Sequence, residues 1–462
     1  MIRKFLGLML LAGLLTGCQR EVATEPFEVK GDIETWTIIE DTTKPLDTME
    51  LINALTPLYG TFDLVISSRD GFSIRLSGET IDNTSLKYSP STGWMFVSEH
   101  HPVNSRVKWI SEVIVVKKKQ EEPNFSAGLN IIRDDQNIHK SLGELLSMEY
   151  GMRFHIDGTT EQEGNSIDVM KKVRFFPLKT WIEEGYDWLL VMDGSGEHHY
   201  IREGDYSIEM QNRQLNLRGV HGQEIEDVVG VIVDPPAQTV MDNYYDAMNY
   251  IEKGIPVLTI FIDGFAFEQW EQVKEEYPSL YISKQKFSKA STVYTPVTNA
   301  GFAAMISGQV PKQTGIMDRS VRRPACDTIY NQVEEGVLID GLVKILDVPC
   351  KLYLENDEDD DGYTDEEVYV KALDIPSEKY MLVHFNGVDE AGHDYGPYDE
   401  KTINKIIEVD GYVEELANRW PGKVIILADH GMHKTSEGGD HGEFRVEDMF
   451  IPYLIIDGGQ YE

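Results

Sequence analysis

KVIILADHGM, residues 423–432, is the stretch whose reading decides the fold. VIILA is an unbroken apolar run of strand length that stops at Asp429 and His430. Two other runs share its pattern: VLTIFI (257–262) stops at Asp263, and YMLVHF (380–385) is followed, within FNGVDEAGH, by Asp389. A strand buried on both faces reads as a continuous apolar run rather than an alternating one. The intervening segments, such as TINKIIEVDGYVEELANRW (402–420), have helical spacing. Such strands alternating with helices predict a parallel sheet covered on both sides, so residues 246–462 read as a doubly wound α/β domain.

Ligands of open α/β sheets bind outside the carboxyl ends of the strands. One Asp after one strand fits an ordinary turn or helix cap. Three acids at three strand ends, with His393, His430 and His441 close behind, fit a metal site better. Imidazole mixed with carboxylate suits zinc and similar cations, and three Asp with three His are enough for two ions. A candidate nucleophile lies in STVYTPVTNAGFAAMISG (291–308), where Thr298 opens a small-residue stretch read as a helix. A helix N-terminus favours an anion, and metal coordination is one way to activate a weakly nucleophilic hydroxyl. On local sequence alone, Thr298 reads as an N-cap.

Upstream, residues 31–245 are β-rich: TWTII, FDLVISS, FSIRLSG, GWMFVSE, VIVVKKK, WLLVMDG and VVGVIVD read as strands, and TMELINALTPLYG (48–60) as a helix. FDLVISSRDGFSIRL with WISEVIVV resembles YDWLLVMDGSGEHHYI with VVGVIVD, which suggests a duplicated module. His100, His101, His198 and His199 occur as pairs without ligand spacing and read as surface or turn residues. Residues 18–30 are polar and read as a tether.

The first residues, MIRKFLGLMLLAGLLTGC, combine Arg3 and Lys4 with an apolar run too short to span a membrane. Leu15-Thr16-Gly17-Cys18 resembles the lipobox of bacterial lipoproteins. That implies a signal peptide over 1–17, lipidation of Cys18, and an extracytoplasmic protein anchored to the cell membrane or outer membrane. Cys326 and Cys350 then remain, to pair or to stay free. The net charge of -37, from 79 acidic against 42 basic residues, argues against a nucleic-acid polymer as partner. It leaves room for a small anionic substrate, since bound cations can outweigh the global field.

IDG (262–264), Thr298 ahead of Ser307-Gly308, VDEAGHDYGP (388–397), ADHGM (428–432) and HG (441–442) occur in this order. Together they resemble the type I phosphodiesterase/nucleotide pyrophosphatase branch of the alkaline phosphatase superfamily. The resemblance implies a doubly wound, alkaline-phosphatase-like catalytic domain holding two divalent ions, usually zinc. It places Asp263, Asp429, His430 and the Thr298 oxygen on one ion, and Asp389, His393 and His441 on the other. The implied reaction cleaves a phosphodiester or pyrophosphate in a small phosphate-ester substrate through a phosphothreonine. Close alternatives are a phosphomonoesterase, a phosphonate hydrolase and a phosphotransferase; a non-catalytic surface-binding lipoprotein is the rival of another class.

One departure stands out: the family commonly has Asn three residues after the nucleophile, where this chain has Gly301. Asn299 is the candidate replacement for binding a phosphate oxygen. Arg319, with Arg322 and Arg323, is a candidate anion contact or a solvated basic loop. ENDEDDDGYTDEE (355–367) resembles a calcium loop, with Asp357, Asp359, Asp361 and Asp365 as candidate ligands. Val368 stands at its twelfth position, so a solvated acidic loop fits nearly as well.

Overall fold

The computed structural model describes residues 25–40, 44–55, 61–118, 125–162 and 165–459. Cys18 and the segment read as a signal peptide lie outside them. The chain divides into two compact units, residues 1–118 and 119–462.

In the first unit, strands β1 (Phe27–Gly31), β2 (Thr37–Ile39), β3 (Phe62–Ser68), β4 (Ser73–Ser77) and β5 (Ile110–Lys117) form one sheet in the order β2-β1-β5-β3-β4. The stretch read as a tether thus ends in a strand, because Phe27 and Val29 are buried in this unit's core. Helix α1 (Thr48–Leu55) follows the β1–β2 hairpin and forms part of the expected amphipathic helix.

The second unit opens with the same arrangement. Strands β6 (Leu129–Arg133), β7 (Gln136–Lys140), β8 (Trp188–Asp193), β9 (His198–Arg202) and β10 (Val228–Val233) run in the order β7-β6-β10-β8-β9. Position by position the pairings agree: β1∥β5 and β6∥β10 are parallel, and every other neighbour pair is antiparallel. Each central pairing has a register shift, at Ser67/Ser68 in one sheet and Met192/Asp193 in the other. A short helix, α2 (Leu142–Ser147), again follows the first hairpin. His198 and His199 lie on β9 rather than in a turn, and His199 Nε2 meets Asp193 Oδ2 at 2.8 Å. His100 and His101 do occupy a turn, held by Ser98 Oγ.

Residue 245, where the sequence changes character, is not where the contacts divide. Ile132, Leu190, Met192 and Ile232 of the second module share one apolar core with the α/β strands that follow. Those strands are β11 (Val257–Ile262), β12 (Ser288–Ser291), β13 (Val337–Asp340), β14 (Lys351–Leu354), β15 (Tyr380–Phe385), β16 (Lys423–Leu427) and β17 (Phe450–Asp457). With a two-residue edge strand, Gln238–Thr239, they form an eight-stranded sheet whose order continues β12-β17-β16-β11-β15-β13-β14. Five adjacent strands, β16 to β14, are parallel, and β17 runs antiparallel to both its neighbours. All six residues of β11 and of β15 are buried, as their unbroken apolar sequences require. Connecting helices include α3 (Thr298–Ser307), α4 (Asp365–Asp374), α5 (Gly387–Tyr395) and α6 (Glu400–Arg419).

A shared core makes a direct prediction. Leu190→Ala should destabilise by about 2–5 kcal/mol, the usual range for a buried leucine, and should speed hydrogen exchange in β15 and β16 along with β8. Faster exchange in β8 alone would show that the module unfolds independently.

Candidate metal centre

The strands carrying the three acids are immediate neighbours, in the order β16-β11-β15. Adjacent strands lie about 4.8 Å apart, so their carboxyl ends bring Asp263, Asp389 and Asp429 together. Asp263 directly follows β11, and Asp429 lies two residues past β16. Asp389 sits in the first turn of α5, with His393 one helical turn on; His393 Nε2 is 3.4 Å from Asp389 Oδ2. The close approach depends on Gly264, whose φ of 68° is left-handed; a Cβ there would lie 2.6 Å from Asp389 Oδ1.

Each histidine is held by its far nitrogen. His393 Nδ1 meets Gly439 O at 3.0 Å, His430 Nδ1 meets Gly431 O at 2.9 Å, and His441 Nδ1 meets Pro296 O at 3.2 Å. A carbonyl can only accept, so each Nδ1 must donate, which fixes the tautomer and leaves each neutral Nε2 with a free lone pair. Those Nε2 atoms face the carboxylates. His430 Nε2 lies 3.3 Å from Asp263 Oδ1, from Asp429 Oδ2 and from Thr298 Oγ1, and His441 Nε2 lies 3.8 Å from Asp389 Oδ1.

Asp263 Oδ1, Asp389 Oδ1 and Asp429 Oδ2 are buried atoms without a hydrogen-bond partner. Buried carboxylate oxygens are costly to leave unpaired, and imidazole lone pairs do not satisfy them. A cation satisfies both. Donor atoms of Asp389, His393 and His441 lie within 4.8 Å of one another, as do those of Asp263, Asp389 and His430. The residues therefore fit two cations, with Asp389 near both and Asp429 and Thr298 closing the set around His430 Nε2.

The electrostatics are those of a charge cluster awaiting countercharge. Burial, then the neighbouring Asp263 charge, pushes Asp389 up to about 7. Burial, then Asp389, pushes Asp429 up to about 7. Asp263 is raised by burial and by Asp429. Burial lowers His430, and burial with the His430 ring beside it lowers His441 to about 3.

Thr298 is the first residue of α3, and Val297 is its cap, so Thr298 is not an N-cap; its hydroxyl faces His430 instead. The Asn299 amide donates to Ile345 O at 3.3 Å, which uses one of its two N–H groups. Gly301 has a steric cause: a Cβ there would lie 2.6 Å from Asp429 O and 2.8 Å from Asp429 Cβ. Arg319 is exposed, beside Asp318. Asp357, Asp359 and Asp361 converge as the calcium-like spacing predicts. Asp365 does not join them; it is buried, and its Oδ1 accepts from Gly387 N at 3.1 Å. Asp440 accepts from its neighbour His441 N and ends the two-residue strand Gly439–Asp440, opposite His433. Cys326 and Cys350 are free thiols.

Sequence reasoning missed His384 and Asp340. His384 Nδ1 lies 2.8 Å from Asp340 Oδ1, and its Nε2 lies 3.0 Å from Asp263 Oδ2. Burial opposes its charge, but the two carboxylates outweigh burial and hold it well above its ordinary value. The available signal was a histidine inside an apolar strand (YMLVHF) and an Asp ending another (VLID).

A doubly wound α/β domain with a histidine–carboxylate cluster at the ends of its central strands is thus the class that fold and site define. Residues 347–453 match the family model described as type I phosphodiesterase / nucleotide pyrophosphatase, which supports the motif resemblance over that segment. The segment holds Asp389, His393, Asp429, His430 and His441; Asp263 and Thr298 lie outside it. The catalytic subunit of GPI ethanolamine phosphate transferase 3 from Mus musculus is 33% identical over 83 residues, 18% of this chain and 8% of the relative. GPI ethanolamine phosphate transferase 1 from Neurospora crassa is 31% identical over 86 residues, 17% of this chain and 8% of the relative. The chain thus spans less than a tenth of the curated relatives it matches. Among solved structures, phosphonoacetate hydrolase from Sinorhizobium meliloti 1021 aligns with a TM-score of 0.32 at 16% identity, covering 38% of this chain and 56% of that one. Murine ectonucleotide pyrophosphatase/phosphodiesterase 5 aligns with a TM-score of 0.32 at 19% identity, covering 39% and 58%.

The shifts predict how the metal-free protein responds to pH. His430 and His441, held below their ordinary value, are neutral when folded but about half-protonated in the unfolded chain near pH 6.5. They therefore offset part of the carboxylate effect there and none of it above about pH 7.5. Asp389 and Asp429, at about 7 when folded, still bind protons that the unfolded chain has released. Folded protein binding more protons means stability falls as pH rises. The melting temperature of chelator-treated protein should fall from pH 6.5 to 8, and zinc should restore more of it at pH 8 than at 6.5. A zinc effect that shrinks with rising pH would contradict this.

Proposed function

We propose that this chain is an exported, lipid-anchored phosphohydrolase that uses two divalent cations, zinc for preference, to cleave phosphodiester or pyrophosphate bonds in small phosphate esters. The observation that carries it is the orientation of the three imidazoles: Nδ1 of each is committed to a carbonyl, while Nε2 faces buried carboxylate oxygens that lack partners, with the Thr298 hydroxyl in the same cluster. Asp263, Asp429 and His430 with the Thr298 oxygen would hold one ion, and Asp389, His393 and His441 the other. When bound, two such cations supply Lewis acidity and neutralise charge on the attacking and leaving oxygens.

The chain's own residues supply the rest. The Thr298 oxygen gives up its proton and attacks phosphorus, the bond from phosphorus to the leaving oxygen breaks, and the leaving group departs and takes up a proton. Water then attacks the phosphothreonine and returns the hydroxyl to Thr298. Thr298 enters from the start of α3, where the first backbone N–H groups have no intrahelical partner and favour an anionic phosphoryl group. Burial holds His430 and His441 below their ordinary value, and with Nδ1 of each donating to a carbonyl the neutral rings carry no proton on Nε2 at the reacting face.

Transfer to an alcohol instead of water is a second reading, favoured by the partial match to GPI ethanolamine phosphate transferases. The covalent step is the same, and only the acceptor differs. Zinc-loaded protein should turn over p-nitrophenyl phosphate, bis(p-nitrophenyl) phosphate or a dinucleotide, and an added alcohol should divert phosphate from water if transfer is the native outcome. Thr298→Ala should lower turnover by about a hundredfold or more while metal content stays near that of the wild type. Wild-type turnover in this variant would sink the covalent route, and wild-type inactivity on every ester would favour a binding protein.

Export and anchoring rest on Leu15-Thr16-Gly17-Cys18. Cys18→Ala should move the expressed protein from the membrane to the soluble fraction; a variant that still sediments with membranes would refute the lipid anchor.

A further inference from the structure

We propose that Asp340 and His384 brace Asp263 in its ligating orientation, so that affinity for the cation beside Thr298 depends on two residues that do not touch it. This rests on the metal reading above and deepens it. The three side chains come from adjacent strands: β13 pairs with β15, which pairs with β11. Asp340 is the last residue of β13, His384 the next-to-last of β15, and Asp263 the residue after β11. They therefore reach the same edge of the sheet, linked in the order Asp340, His384, Asp263 by contacts of 2.8 and 3.0 Å.

The link divides the labour of one carboxylate. Asp263 Oδ2 is taken by His384, while Asp263 Oδ1 has no hydrogen-bond partner and lies 3.3 Å from His430 Nε2. One oxygen is thus spent on orientation and the other is free to ligate. Without its partner, the carboxylate could turn about its last torsion, which is broad for such a side chain. The imidazole is itself immobilised. It is 2% exposed, and its ring stacks on Phe261 with centroids 4.1 Å apart and planes 6° from parallel. Asp340 is fixed in turn, because Oδ1 also accepts from Gly341 N at 2.9 Å. Partners of metal ligands commonly set affinity in this way, and their loss typically costs about 10–100-fold.

The test is zinc binding to the full chain, stripped of metal and titrated against a competing chelator, with melting temperature recorded for each metal-free protein. His384→Ala and Asp340→Asn should each weaken one of two zinc sites by about 10–100-fold and leave the site of Asp389, His393 and His441 unchanged. Asp340→Asn keeps the shape of the side chain and so reports even if His384→Ala fails to fold. His384→Gln, which offers an amide donor to Asp263, should recover part of the lost affinity, whereas simple filling of the core would be matched by His384→Leu. Two wild-type affinities in a folded Asp340→Asn protein, or equal affinities in the Gln and Leu variants, would overturn the brace while leaving the metal reading intact. A wild-type chain that binds no zinc would overturn both.

Discussion

Three carboxylates are forced into one buried spot, and most of this site's design answers that constraint. Two like charges about 4.8 Å apart repel by roughly 3.5 kcal/mol at an effective dielectric near 20. Burial adds a further cost, which is why Asp389 and Asp429 are both pushed up to about 7. One countercharge is built in, through His384 between Asp340 and Asp263. His430 and His441 do not supply another, because burial holds both below their ordinary value. On the proposed reading, divalent cations would supply the remaining countercharge. The parallel sheet makes the arrangement possible, because the acids lie where its largely apolar strands end and leave the core.

The same crowding explains the departure from the family pattern at Gly301. Helix α3 lies so close to the strand end that a single carbon at residue 301 would meet the Asp429 backbone. Thr292 Oγ1 donates to the same Asp429 carbonyl, drawing the segment ahead of the helix to it as well. Helix α3, which carries Thr298, is thereby set against Asp429 by backbone packing that leaves no room for a side chain at residue 301. Asn299, two residues earlier, has one amide N–H engaged with Ile345 O.

How much of this was legible in the sequence follows from the range of each interaction. The strands were readable because VIILA, VLTIFI and YMLVHF are uniformly apolar. The acids were readable because strand ends are where such sheets place ligands. Thr298 was readable as a helix start, but its exact position relative to the cap was not, since Thr is the better capping side chain and only the backbone angles put the cap at Val297. His384 was hidden by its surroundings: a histidine within an apolar strand resembles any core residue until the neighbouring strand supplies Asp340. Asp365 was misread as a calcium ligand because spacing says nothing about the Gly387 N–H that its carboxylate meets from another part of the chain. The division at residue 245 was misplaced for a similar reason, since composition changes there while the buried contacts continue across it.

That shared core bears on the least regular part of the site. His441 sits between residues 431 and 449, whose only strands are His433–Lys434 and Gly439–Asp440 and whose only helix is Val446–Met449. Hydrogen bonds within this loop and contacts from elsewhere both hold it. Within it, the Asp448 carboxylate receives Glu443 N and His433 Nδ1. From the second β module, Asn137 donates to Glu447 Oε2 and accepts from Val446 N. Phe444 packs so closely on Gly230 that a Cβ there would lie 2.3 Å from its ring. The copy of the repeated sheet in the second unit is therefore a buttress for the loop that carries His441, which gives a β-rich segment without chemistry of its own a physical part in the centre.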